Sequence, residues 1–182
     1  KFAINPADLG LYGQANRVIM APSSLVTHSV ADVFKQKANE DFQKNGNAIA
    51  IFKKTRNMLF FIMLLPCLII AIFGPSIFTF LFGEEWRQSG VYAQILMILV
   101  FPKFIVSTLN YMYIIARKQK ENFYLNIYRL LATLFSFYLA YKFFGTTEAM
   151  LLFFSINYSI IYLIYYARSY TFAKGNISES KE

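Results

Sequence analysis

Phe60-Phe61-Ile62-Met63-Leu64-Leu65-Pro66-Cys67-Leu68-Ile69-Ile70-Ala71-Ile72-Phe73-Gly74-Pro75-Ser76-Ile77-Phe78-Thr79-Phe80-Leu81-Phe82 contains no charged residue. A hydrocarbon core about 30 Å thick is crossed by about 20 apolar residues of helix, so this run is long enough to span. Four more apolar stretches surround it, centred near Ala21, Phe104, Phe135 and Tyr158. Such repetition excludes a signal peptide. The expected fold is all-α: a polytopic transmembrane helix bundle of five spans, about 9–34, 58–82, 91–116, 123–144 and 149–172. A cytoplasmic connection over 35–57 and a disordered tail over 175–182 complete the expected organisation.

Composition agrees with a membrane bundle, with 57% hydrophobic, 19% aromatic and 15% charged residues. The chain opens on Lys1-Phe2-Ala3-Ile4-Asn5-Pro6 rather than on Met and reads as a C-terminal fragment. Cys67 sits mid-span, which suits a small core residue and gives no disulfide within the chain and no metal site.

The net charge of +8 gains meaning from its placement, which argues against nucleic acid. Lys35, Lys37, Lys44, Lys53, Lys54 and Arg56 crowd the first connection, Arg117, Lys118 and Lys120 the third, and Arg168, Lys174 and Lys181 the C-terminal end. The intervening surfaces hold only Lys1 and Arg87, with Lys142 near the second of them. By the positive-inside rule the basic connections and the C-terminus face the cytoplasm. Asn45-Gly46 marks a turn inside the first connection, and Ala48–Phe52 has the pattern of a segment lying on the membrane surface before the second span. Pro66 and Pro75 are expected to kink or break that span, since each removes a backbone donor. Trp86 fits an interfacial anchor.

Polar groups at membrane depth nominate a site. With residues at 100° steps, Gln14, Arg17, Ser24, His28 and Asp32 share a sector of about 80° on the first span. A stripe of this kind faces protein or water rather than lipid. It is either satisfied against neighbouring helices or forms the wall of a hydrated cavity. His28 and Asp32, at i and i+4, are placed to pair with each other or to ligate a cation; two ligands do not name a metal, and a hydrogen-bonded pair is the simpler expectation.

Lys103 lies about twelve residues, roughly 18 Å, from either end of the third span, beyond the reach of a snorkelling side chain. Lys at a helix centre costs about 2.5–3.5 kcal/mol on the insertion scale, which the surrounding Ile, Leu, Val and Phe offset at about 0.3–0.6 kcal/mol each. The helix still inserts, but the charge must end in a wet or anionic place. Ser107 and Asn110 share its face, and Pro102 permits a kink beside it. Arg129 on the fourth span either snorkels to the cytoplasmic surface or supplies a third cavity cation. Ser155, Tyr158, Tyr162 and Tyr165 form a polar-aromatic stripe whose ordinary role is helix packing. Enzyme signatures such as G-x-S-x-G, H-E-x-x-H, C-x-x-C and a phosphate-cradling Gly-rich loop are absent, so no catalytic activity is expected.

The stretch Phe73-Gly74-Pro75 through Phe82-Gly83-Glu84-Glu85-Trp86 to Ser89-Gly90-Val91-Tyr92 and Ile95-Leu96 resembles the F-G-P-x-x-F-x-x-x-F-G-x-x-W-x-x-[AS]-G-x-Y-x-x-I-L segment of bacterial polysaccharide export proteins of the Wzx type. These are the O-antigen and capsule flippases of the MOP superfamily. Leu9-Gly10-Leu11-Tyr12-Gly13-Gln14-Ala15-Asn16-Arg17 is similar to a stretch opening a helix in their second half. The resemblance implies the C-terminal part of a twelve-helix MOP-type transporter in the bacterial inner membrane. Its cargo would be an undecaprenyl-pyrophosphate-linked oligosaccharide, moved by alternating access, with membrane lipids and polysaccharide assembly proteins as further partners. No cofactor is implied, and coupling to H+ or Na+ is left open.

Charge and burial, rather than any fixed family residue, nominate Arg17, Lys103 and Arg129 as cavity cations. Gln14, Ser24, His28, Asp32, Ser107 and Asn110 are the expected polar lining. Two other functions compete. A MATE-like cation-coupled antiporter would favour acids at depth, where this chain has bases. A membrane-bound polysaccharide polymerase or ligase would need long outer loops, where this chain has short ones.

Overall fold

The computed structural model describes residues 5–175, which contain helices and turns but no strand. In chain order the elements are α1 (Pro6–Asn45), α2 (Ile49–Phe82), a 3-10 turn (Glu84–Trp86), α3 (Arg87–Leu109), α4 (Met112–Ile115), α5 (Gln119–Phe143) and α6 (Thr147–Ala173). Four stretches, Ile49–Phe82, Glu84–Ile115, Gln119–Phe143 and Thr147–Ala173, are long and apolar enough to cross a membrane. With α1, whose 40 residues span about 60 Å but whose polar stripe sets it apart, they form a polytopic helical bundle.

The cross-contacts fix the direction of every helix. Ser89 Oγ donates to the Leu11 carbonyl and Thr108 Oγ1 to that of Thr27, so α1 and α3 run parallel. Gln88 donates to Glu148, and Ser169 to Asn110, so α6 runs parallel to both. Between α5 and α6, Arg168 bonds Glu121 and Asn157 bonds Ser136, which makes that pair antiparallel. On α2, Gly74 meets Gly90 and Arg56 donates to Tyr166. The turns after α2 and α5 therefore share one end of the bundle with the start of α1. The turns at 46–48 and 116–118 share the other with the end of α6. This is the alternation that the distribution of bases requires.

Local chemistry explains the element ends. Asn5 accepts from the Ala7 N–H at 3.2 Å, Pro6 occupies the first turn and Asp8 adds a favourable charge there. Gly46, at φ 68°, closes α1 with its N–H on the Phe42 carbonyl. The turn expected at Asn45-Gly46 is present, but the rest of the 35–57 connection is not loop. Lys35 to Asn45 extends α1, and Ile49 to Asn57 begins α2, so only 46–48 lie outside helix. Ala48–Phe52 forms no separate surface helix, because the Ala48 N–H is held by the Ala173 carbonyl at 2.8 Å and α2 starts from that anchor. The tail expected over 175–182 lies, beyond Gly175, outside the described residues.

Neither Pro66 nor Pro75 breaks α2, contrary to one of the two outcomes expected, and Pro102 does not break α3. For Pro75 and Pro102 the reason is external. Pro75 deprives the Ala71 carbonyl of its helical donor, and Gln94 Nε2 on α3 supplies one at 2.7 Å. Pro102 does the same to the Ile98 carbonyl, and Ser159 Oγ on α6 replaces it at 2.7 Å. Neighbouring helices thus satisfy backbone acceptors that no water would reach in a bilayer. The α2–α3 pair also needs glycine at its crossing: a Cβ on Gly74 would lie 2.7 Å from the Gly90 carbonyl oxygen, and one on Gly90 would fall on the Pro75 backbone.

The core is centred on α3, where Tyr92, Leu96, Val100, Phe104 and Leu109 are buried. Ser155, Tyr162 and Tyr165 are buried too, the packing role expected of that stripe. The outward faces of α2 and α5, with Phe61, Phe80, Leu134 and Phe135, are exposed and apolar, as lipid contact requires.

Candidate functional site: a cation-lined groove

The middle of the α1 polar stripe borders a groove of about 670 Å³ between α1 and α3. Arg17, Ser24 and His28 line it from α1, and Lys103 and Ser107 from α3. Five of the nine predicted site residues therefore line one groove between two parallel helices, with Arg17, Ser24 and His28 exposed on the α1 side and Lys103 and Ser107 half-buried on the α3 side. Asn16, Ser23 and Thr27 join the lining; they were hidden from the sequence reading because they flank the stripe instead of lying on it.

The hydroxyls of α1 need no partner helix. Ser23 donates to the Ile19 carbonyl, Ser24 to that of Ala21, and Thr27 to those of Ser23 and Ser24. Satisfied within their own helix, they can line a groove at little cost. The cations are another matter. The Lys103 ammonium has the Met20 thioether at 3.6 Å, a weak acceptor. Among the described residues no carboxylate lies within ion-pair distance of Lys103, Arg17 or Arg129. Lys103 stands twelve residues, about 18 Å of helix, from Ile115 at the basic end of its span.

The other predicted residues fall elsewhere. Arg129 does not line the groove. It sits half-buried on α5, over the Tyr158 ring at 6.0 Å and hydrogen-bonded to Tyr162, yet near enough to Lys103 for the two charges to repel. It is thus held by α6 aromatics rather than free at the surface. Gln14 is half-buried outside the groove lining. Asn110 closes α3 and accepts from Ser169 at 3.3 Å, so it ties helices together. Asp32 lines a separate cavity nearer the basic end. The expected His28–Asp32 hydrogen bond is not formed; both side chains are exposed and turn into different cavities. Among the described residues no group of three potential ligands could hold a metal ion.

At the opposite end, Asp8 joins three helices. It accepts from Tyr92 of α3 at 3.2 Å and from Thr147 of α6 at 2.8 Å. This clasp fixes the N-terminal end of α1 and hence the register at which Arg17 meets α3.

Comparison with known proteins adds one finding. No curated protein and no solved structure matches the chain. Residues 2–91, which hold α1, α2, the 3-10 turn and the start of α3, match the family model described as polysaccharide biosynthesis protein. The matched segment includes Arg17 and the Gly74–Gly90 helix crossing, and stops short of Lys103.

Proposed function

We propose that this chain belongs to a flippase that moves an undecaprenyl-pyrophosphate-linked oligosaccharide across the bacterial inner membrane by alternating access. The observation that carries the reading is the groove that Arg17 and Lys103 both line at membrane depth without a carboxylate partner. Cations held at membrane depth without a counter-charge are costly, and a pyrophosphate offers the compensating charge. In a low-dielectric setting that attraction is far stronger than in water. The match of residues 2–91 to a polysaccharide biosynthesis family supports the cargo class.

In this mechanism the groove holds the charged headgroup while the isoprenoid chain stays in lipid, against the exposed apolar faces of the bundle. The protein makes and breaks no covalent bond. Membrane lipids surround it, and polysaccharide assembly proteins supply and receive the cargo. The test is export by the intact protein in cells. Lys103→Ala should insert normally, since losing the charge eases insertion, but should lower surface polysaccharide and leave lipid-linked repeat units on the cytoplasmic side. Normal export by alanine variants at both Arg17 and Lys103 would reject the mechanism.

A further inference from the structure

A second cavity, of about 710 Å³, lies next along the bundle toward the basic end. Their linings succeed one another by about one helical turn on both walls. His28 lines the groove and Asp32, one turn on, the second cavity; Ser107 lines the groove and Tyr111 the second cavity. Lys35 and Arg117 provide its positive charge, and both are exposed. Lys35 lies over the Tyr111 ring at 5.6 Å. The lining also carries two acids, Asp32 and Glu40; Glu40 accepts from Gln36, and neither acid forms an ion pair with Lys35 or Arg117 among the described residues, so the cationic donors stay unpaired.

Arg117 carries an independent mark. Its φ is 56°, in the left-handed region, and it is the one described non-glycine residue there. Its N–H bonds the Ile114 carbonyl and the Lys118 N–H bonds that of Tyr113, the pattern of a helix end where glycine is the usual residue. A long side chain at such a position costs about 1 kcal/mol or more in backbone strain. Glycine would close the same turn without strain, so the turn itself gives no reason for arginine, and the guanidinium is placed at the mouth of a polar cavity.

We propose that this vestibule, with Lys35 and Arg117 as its anion-binding groups, is the surface docking site that receives the pyrophosphate of an isoprenoid-linked cargo before it passes to Arg17 and Lys103. The inference rests on the flippase reading and adds the point of entry. The basic end is the cytoplasmic one by charge, which is where the lipid-linked cargo of that reading starts. The Tyr111 ring and the exposed Ile114 offer an apolar edge for the first isoprene units.

The test uses the intact protein in phosphatidylcholine nanodiscs, with undecaprenyl pyrophosphate as the probe and native mass spectrometry as the readout. Arg117→Gly keeps the turn and relieves its strain, so its thermal midpoint should hold or rise. Binding should weaken about tenfold, the loss of one charge-assisted contact, and Lys35→Gln should act likewise. Phosphatidylglycerol, which has a single phosphodiester, should not displace the probe at equal concentration. Unchanged binding in the Arg117→Gly/Lys35→Gln double variant would overturn the vestibule, as would equal competition by phosphatidylglycerol. The two readings fail separately. If the double variant binds normally while Lys103→Ala still blocks export, only the vestibule is lost. If Lys103→Ala and Arg17→Ala both export normally while Arg117→Gly binds poorly, the groove mechanism is lost and the surface site stands.

Discussion

Gln94 of α3 donates through Nε2 to the Ala71 carbonyl of α2 at 2.7 Å, filling the vacancy that Pro75 leaves in its own helix. One helix thus repairs the hydrogen bonding of another. Gln94→Leu should strand that carbonyl and destabilise the protein by about 1–3 kcal/mol. In a Pro75→Ala background the helix regains its own donor, and the cost of Gln94→Leu should nearly vanish. Unfolding of the four members of this cycle in detergent measures the coupling. Equal costs of Gln94→Leu in both backgrounds would refute the repair.

The α2–α3 crossing depends on bare backbone at Gly74 and Gly90. Gly90→Ala would press a methyl group onto Pro75, where no flexible side chain can give way. It should cost about 1–3 kcal/mol as an overpacked contact, visible as a lower thermal midpoint. Gly10→Ala serves as the control: a Cβ there meets nothing within 4 Å, and alanine favours helix by about 1 kcal/mol. Similar losses at both positions would argue against a close crossing.

At Lys103 the charge, rather than the packing, is expected to carry the function. Lys103→Met should keep the bundle's thermal stability or raise it, since it replaces a desolvated charge with an apolar chain. Export should fall at least tenfold, while Lys103→Arg should retain part of it. A stability loss in Lys103→Met comparable to the export loss would make the residue structural.

Asp8 should matter for the opposite reason. Its carboxylate accepts hydrogen bonds from Tyr92 and Thr147, so Asp8→Ala should cost about 1–3 kcal/mol by leaving hydroxyl donors unpaired. Asp8→Asn, which keeps an acceptor oxygen, should recover most of that loss. A variant pair with identical midpoints would mean that the clasp contributes nothing.

Charge placement predicts the orientation. A cysteine at position 44 should react with an impermeant reagent only after the inner membrane is opened, and one at position 84 in intact spheroplasts. Labelling of position 44 from outside would invert the topology.

Sequence alone determined the membrane class, the helical fold, the alternation of basic ends and the polar stripe from Gln14 to Asp32. These follow from hydropathy, 100° periodicity and the cost of charge in lipid, which act within single helices. It also singled out Lys103, because depth along a helix is a matter of counting. Tertiary structure decided what the stripe faces. Only the parallel packing of α1 on α3 puts Arg17, His28 and Lys103 around one groove, sends Asp32 to the next cavity, and gives Asn110 to Ser169 and Arg129 to the tyrosines of α6. It also decided how Pro75 and Pro102 sit in unbroken helices, since the compensating donors, Gln94 and Ser159, come from helices remote in sequence. The local rule for proline counts the donor lost; whether a neighbour replaces it is settled by packing.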